Sequence, residues 1–113
     1  MCEPLKPLLL GYLRLRISAA PAAGDAGRRL LEDFAGREGF ALAEVFIDAD
    51  ENTPTAALAA LIRYVRGLDV QLRGLAIAVP HLGHFGSNPQ IQRQMCARLE
   101  REARVRVIVL QVQ

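Results

Sequence analysis

Cysteine is scarce in this 113-residue sequence. The two present, Cys2 and Cys96, lie far apart in the chain, so no disulfide framework can be drawn and a reducing compartment fits. With His81 and His84 they make four soft ligands in number but not in spacing, because a structural zinc site wants a close Cys pair; no metal and no cofactor is expected. Charge of one sign is lacking too. Fourteen basic against twelve acidic side chains leave a formal +2, too little to serve by itself as the electrostatic footprint of a nucleic-acid binder. No apolar run approaches the roughly 20 residues of a bilayer span, and no membrane partner is expected. The opening "MCEPLKPLLLGYLRLR" has neither a signal-peptide h-region of proper length nor a small-residue cleavage site, so the expected location is the cytoplasm.

What the chain does have is apolar content, 51% of residues, spread with almost no low-complexity sequence. That fits one compact domain over residues 1 to 113 with a single core. "PLLLGYLRLRI" (7 to 17) is an apolar run turning into alternation and reads as a strand that places Leu10, Tyr12, Arg14 and Arg16 on one face. The "SAAPAAGDAG" segment after it reads as a loop, and within it "AAGDAG" (22 to 27) matches neither phosphate-binding glycine pattern. From about Ala26, Leu30, Leu31, Phe34 and Ala35 recur at helical spacing up to Gly39, and "FALAEVFID" (40 to 48) follows as a strand.

Thr53 and Pro54 read as the start of a second helix, with Leu58, Leu61, Ile62 and Val65 as its apolar stripe and Gly67 as its end. "LRGLAIAV" (72 to 79) is a third strand. Asn88 and Pro89 repeat the start signal for a last helix with Ile91, Met95, Leu99 and Cys96 inward, and "VRVIVL" (105 to 110) is a fourth strand. Strands alternating with helices imply right-handed crossovers: an α/β, three-layer domain with a mostly parallel four-stranded sheet. In such a sheet ligands sit beyond the carboxyl ends of the strands where strand order reverses. The residues there are Arg14, Arg16 and Ser18, then Asp48 to Asn52, then Pro80 to His84.

The pattern resembles the catalytic domain of serine recombinases of the resolvase and invertase type. In that family a first strand reads roughly Y-x-R-V-S, a helix ends in glycine before a strand closing in Asp, R-P-x-L opens the next helix, and D-R-L-G-R follows the third strand. "GYLRLR" matches the first motif through Tyr12 and Arg14, "EDFAGREGFALAEVFID" is similar to the second up to Asp48, "TAALAALI" occupies the third slot and "PHLGHFG" the last. The resemblance covers roughly residues 8 to 110 and implies a resolvase-like fold. It also implies chemistry: a serine that attacks a DNA phosphodiester and several arginines that stabilise the pentacoordinate transition state.

Most of those groups are replaced. With Tyr12 and Arg14 aligned, the nucleophile position holds Arg16; shifting by two residues puts Ser18 there and loses Tyr12. Both registers stay open. The R-P slot holds Thr55 and Ala56, and the last motif holds Pro80, His81 and His84 around the surviving Leu82 and Gly83. Histidine is a poor stand-in for arginine, being mostly neutral at pH 7 and unable to offer a bidentate fork. No catalytic residue is therefore expected; Arg14, Arg16 and Ser18 are remnants, and Arg14, Arg16, His81 and His84 are candidates for a residual anion site. Since only Gln111, Val112 and Gln113 follow the fourth strand, the family's long dimerising helix and DNA-binding domain are expected to be absent.

Two other constellations have plainer readings. Asp48, Asp50 and Glu51 look like a receiver-type acidic pocket, but Pro80 stands where an acceptor aspartate is needed and Lys6 is the only lysine, so a solvated turn is expected. Arg98, Arg101, Arg104 and Arg106 interleave with Glu100 and Glu102 and suit the solvated face of an amphipathic helix. The expected function is a catalytically inactive recombinase-like module acting through a protein partner or self-association, with DNA a weak partner. The alternatives are a reduced recombinase using Ser18 and a small-anion-binding domain.

Overall fold

The computed structural model describes residues 6–15, 21–49, 56–67, 74–86 and 88–111. Four strands, β1 (Leu8–Arg14), β2 (Ala41–Asp48), β3 (Leu75–Val79) and β4 (Arg106–Val109), alternate with helices α1 (Pro21–Glu38), α2 (Ala56–Arg66) and α3 (Pro89–Arg98). The sheet is parallel throughout, in the order β2-β1-β3-β4. β1 is apolar on both sides and so takes the centre: Leu9 and Leu13 point to one layer, with Leu31 and Ala35 of α1, while Leu10 and Tyr12 point to the other, with Leu58, Leu61, Ile62 and Val65 of α2. Met95 and Cys96 of α3 pack against that second layer. One helix therefore covers one face and two cover the other, which right-handed crossovers produce when strand order turns back after β2. The expected three-layer α/β class stands, with the sheet wholly parallel.

The last helix starts where expected. Asn88 is extended (φ −141°) and its Oδ1 accepts from Ile91 N–H at 3.0 Å, with Pro89 in the first turn. Gly39, at φ +75°, follows α1 in the left-handed region that a side chain would resist. The start signal at Thr53 and Pro54 lies outside the described residues.

Four expectations need correction. α1 begins at Pro21, five residues before Ala26, so "AAGDAG" is not a loop but the first turns of a helix. A Cβ at Gly27 would stand 2.9 Å from Leu13 Cδ2, and one at Gly24 3.2 Å from Leu15 Cδ1. Glycine there lets α1 lie close on β1, and that contact outweighs a helix-propensity cost of about 1 kcal/mol per glycine. The first strand ends at Arg14, short of Ile17, and residues 16–20 lie outside the described set. The arginine-rich segment is not one helix: α3 ends at Arg98, a π-type turn spans Leu99–Ala103, and Arg104 in the left-handed region (φ 55°) redirects the chain into β4. Arg98 Nε pairs with Glu102 at 2.7 Å there.

Asp48 is the fourth correction, because it is no solvated side chain. It is 4% exposed, and its carboxylate ties β2 to two other elements. Oδ2 accepts from the Tyr12 hydroxyl at 2.7 Å and from Leu58 N–H at 3.3 Å; Oδ1 accepts from Ala57 N–H at 2.8 Å. A buried anion is tolerable here because it faces the orphan amides and the positive dipole end of α2. Asp50 and Glu51 are outside the described residues. Asp48→Ala strands two amides and a hydroxyl away from water and is expected to cost about 2–4 kcal/mol, whereas Tyr12→Phe, which leaves the helix amides satisfied, is expected to cost about 1–2 kcal/mol. Urea unfolding followed by far-UV circular dichroism measures both and checks their order.

Candidate functional site

Because β1 leads outward to β2 on one side and the chain returns to β3 on its other side, the sheet's switch point lies between the carboxyl ends of β1 and β3. β1 delivers Arg14 to that crevice. β3 ends at Val79, and Pro80 and His81 lead into a one-turn 3₁₀ helix, Leu82–Phe85. This turn exists because His81, in extended conformation (φ −157°), caps it: its Nδ1 accepts from Gly83 N–H at 3.1 Å. Phe85, fully buried, anchors the far end by stacking on Tyr12 with ring centroids 5.7 Å apart and planes 10° from parallel. Leu82, by contrast, is 41% exposed.

Two hydrogen bonds clasp the turn to β1. Arg14 Nη2 donates to Gly83 O at 2.8 Å, and Arg14 backbone N–H donates to His84 Nδ1 at 2.9 Å. The imidazole thus takes the place a further strand would have at the end of the β1 ladder, and the guanidinium satisfies a loop carbonyl. Gly83 is required sterically, since a Cβ there would stand 2.7 Å from His81 Cε1 and 2.8 Å from its Nδ1. The two rings lie side by side, centroids 4.5 Å apart and tilted by 51°.

Protonating His84 is unfavourable. Burial, then the neighbouring His81 and the Arg14 guanidinium, push its pKa down from 6.5 to about 4. The hydrogen bond agrees: an Nδ1 that accepts from an amide carries no proton, so the ring's hydrogen sits on Nε2. The same logic assigns Nε2–H to His81, whose Nδ1 accepts from Gly83.

Of the residues expected to gather at the strand ends, Arg14, His81 and His84 are brought together. Arg16 and Ser18 lie outside the described residues. Asp48 stands on the neighbouring tip, spent on capping α2. The role of Gly83, whose carbonyl and amide hold Arg14 and His81, escaped the sequence reading; the signal was the glycine between two histidines, which leaves room for a ring to fold over the backbone. No group of three or more metal-ligating side chains occurs among the described residues. No described helix is long and apolar enough to cross a membrane.

The architecture has known counterparts. Over 94% of its length the chain matches 69% of the C-terminal catalytic domain of ISC1926 TnpA, an IS607-like serine recombinase, with a TM-score of 0.74 at 16% sequence identity. Over 91% of its length it matches 76% of the N-terminal catalytic domain of TP901-1 integrase, with a TM-score of 0.68 at 13% identity. No protein-family model matches the sequence, and no curated protein does. At such identities the likeness is one of fold: the chain has the fold of serine recombinase catalytic domains.

His84 sets a pH dependence with a definite sign. Its folded pKa lies below the unfolded value of 6.5, so between about 4 and 6.5 the unfolded chain binds more protons, and stability rises with pH across that window. The contribution is complete above pH 6.5 and amounts to roughly 2 kcal/mol after solvent screening of a half-buried ring. Chemical denaturation at pH 7.0 and 4.5 is expected to show this loss. In His84→Asn, whose carboxamide oxygen can still accept from Arg14 N–H, the loss should shrink to the background of the carboxylates.

Proposed function

We propose that this recombinase-shaped chain is a catalytically inactive module that works through protein contacts, by self-association or in a regulatory partnership. The observation that carries this reading is the state of Arg14. Cleaving a phosphodiester through a serine needs guanidinium groups aimed at the non-bridging oxygens as charge builds on them. The guanidinium of Arg14 instead donates to Gly83 O, a carbonyl of the protein's own turn, and the partner positions on that turn hold His81 and His84. Losing even one preorganised donor lowers an acyl- or phosphoryl-transfer rate by a factor of about 100 to 1000. Several are replaced here.

The exposed apolar side chains support a role in protein contacts. Ile47 (44% exposed) lies on edge strand β2, Leu30 (36%) on α1 over one face of the sheet, and Tyr64 (37%) on α2 over the other, in edge-to-face contact with Phe46 of β2. An edge strand that carries an exposed apolar side chain is a surface that pairing would cover.

Incubation with supercoiled DNA, followed by denaturing electrophoresis for a serine-linked strand, tests the absence of catalysis. The expected result is no adduct and no nicking above background, with the wild type and Ser18→Ala indistinguishable; an adduct lost in Ser18→Ala would establish the reduced-recombinase alternative instead. Sedimentation equilibrium tests the contact role. Concentration-dependent association is expected, weakened at least fivefold by Ile47→Arg, while unchanged monomer behaviour in both proteins would leave only a heterologous partner.

A further inference from the structure

The edge strand β4 has the composition of an interior strand. It hydrogen-bonds β3 on one side, and the ladder runs on past Val109, with Leu110 N–H donating to Val79 O at 3.0 Å and Gln111 N–H to Pro80 O at 2.9 Å. Among the described residues nothing pairs with its other side, so the outward main-chain groups of residues 106–111, about 20 Å of strand, are open. Both faces are apolar: Val107 and Val109 pack on the α2 layer, Ile108 and Leu110 on the α1 layer, and all four are half-buried. Native edges are blunted by lysine, proline, a bulge or an inward charge, and residues 107–110 carry none of these. On the α1 side the strand borders an open trough lined by Phe34, Phe40 and Ile108.

Positive charge gathers where β4 begins. Arg101, Arg104 and Arg106 are exposed, and among the described residues no carboxylate pairs with any of them, since Glu102 between them is taken by Arg98. Arg66 Nε donates to Glu102 O at 3.3 Å, which sets the last turn of α2, with Arg63, against the same segment. Arg104 is the one non-glycine residue at positive φ (55°) among the described residues. Glycine would hold that conformation without strain, so a guanidinium stands there against the preference of the backbone.

We propose that β4 and this arginine cluster together dock an extended acidic segment of a partner protein, which adds to the sheet as a fifth strand with its carboxylates beside Arg104 and Arg106. The inference rests on the protein-contact reading above and names the chemistry of the partner. An open ladder selects a polypeptide, because only another main chain offers N–H and C=O groups at the matching repeat. The apolar faces on either side of β4 select alternating apolar side chains, and the arginines select the sign of the charge at one end. A second copy of this chain suits the site less well. Two β4 edges related by a two-fold axis pair antiparallel, and each Arg106 then faces the Leu110–Gln111 end of the other strand, which carries no acidic side chain.

The test is selection of a random twelve-residue peptide library, displayed on phage, against the full chain, followed by calorimetry with the synthetic form of the most enriched peptide. Enriched sequences should carry two or more Asp or Glu residues next to an alternating run of valine, isoleucine or threonine. The joint variant Arg104→Glu, Arg106→Glu should weaken that peptide about tenfold, and raising the salt concentration should weaken it in the wild type. Arg104→Gly separates binding from folding: its Tm should equal or exceed that of the wild type while the peptide binds at least threefold more weakly. N-methylation of the peptide at alternate residues should abolish binding in one phase and spare it in the other, as a strand bonded along one edge requires. No enrichment, enriched peptides without acidic residues, unchanged affinity in the joint variant, or equal effects of both N-methylation phases would overturn the proposal. So would displacement of the peptide by an equimolar random 20-base-pair duplex, or self-association abolished by the joint variant, which would give the edge to a second copy. A serine-linked DNA adduct would refute the proposed function and leave these peptide affinities unaltered, so the two failures are distinguishable.

Discussion

The molecule is organised by the burial of β1 on both faces and both edges. Its ladder to β2 runs from Leu8 opposite Ala41 to Arg14 opposite Asp48, and its ladder to β3 from Leu8 opposite Leu75 to Gly11 opposite Ala78. Leu9, Leu10, Tyr12 and Leu13 are all fully buried, each worth about 1.5–3 kcal/mol relative to exposure. A strand so placed has to have its two neighbours on opposite sides, so the chain must reverse direction across the sheet, and the reversal creates the crevice in which Arg14 meets the β3 turn. The site follows from the core.

At the strand tips, polar groups are used for holding elements together. Asp48 joins Tyr12 to the start of α2, Arg14 closes on Gly83, and His84 ends the β1 ladder. Tyr12 links two of these, since its hydroxyl serves Asp48 while its ring stacks on Phe85 at the end of the turn that carries the histidines. Such coupling ties the polar groups at the strand tips to the fold itself: Asp48, Arg14 and His84 each satisfy a backbone partner.

Order and type of the elements were legible because period and punctuation agreed. Asn88 and Pro89 announced α3 with a cap that the fold uses as written, and the stripe Leu58, Leu61, Ile62, Val65 is the buried face of α2. The start of α1 was not legible, because Gly24 and Gly27 signal a loop to any local reading while their usefulness lies in the approach of Leu13 and Leu15 from another element. Asp48 was misread for a related reason. A carboxylate among other acidic residues looks solvated until the N-terminus of a helix nine positions on folds back over it.

The amino-acid sequence determined, by itself, the alternation of strands and helices, the parallel sheet, and the placing of Arg14, His81 and His84 at strand ends, since these depend on periodicity and on chain direction alone. Only the tertiary structure decided what those side chains do. Whether an arginine faces a ligand or a carbonyl, and which nitrogen of a histidine keeps its proton, turn on hydrogen bonds between residues 70 positions apart, and no local pattern encodes the partner at that range.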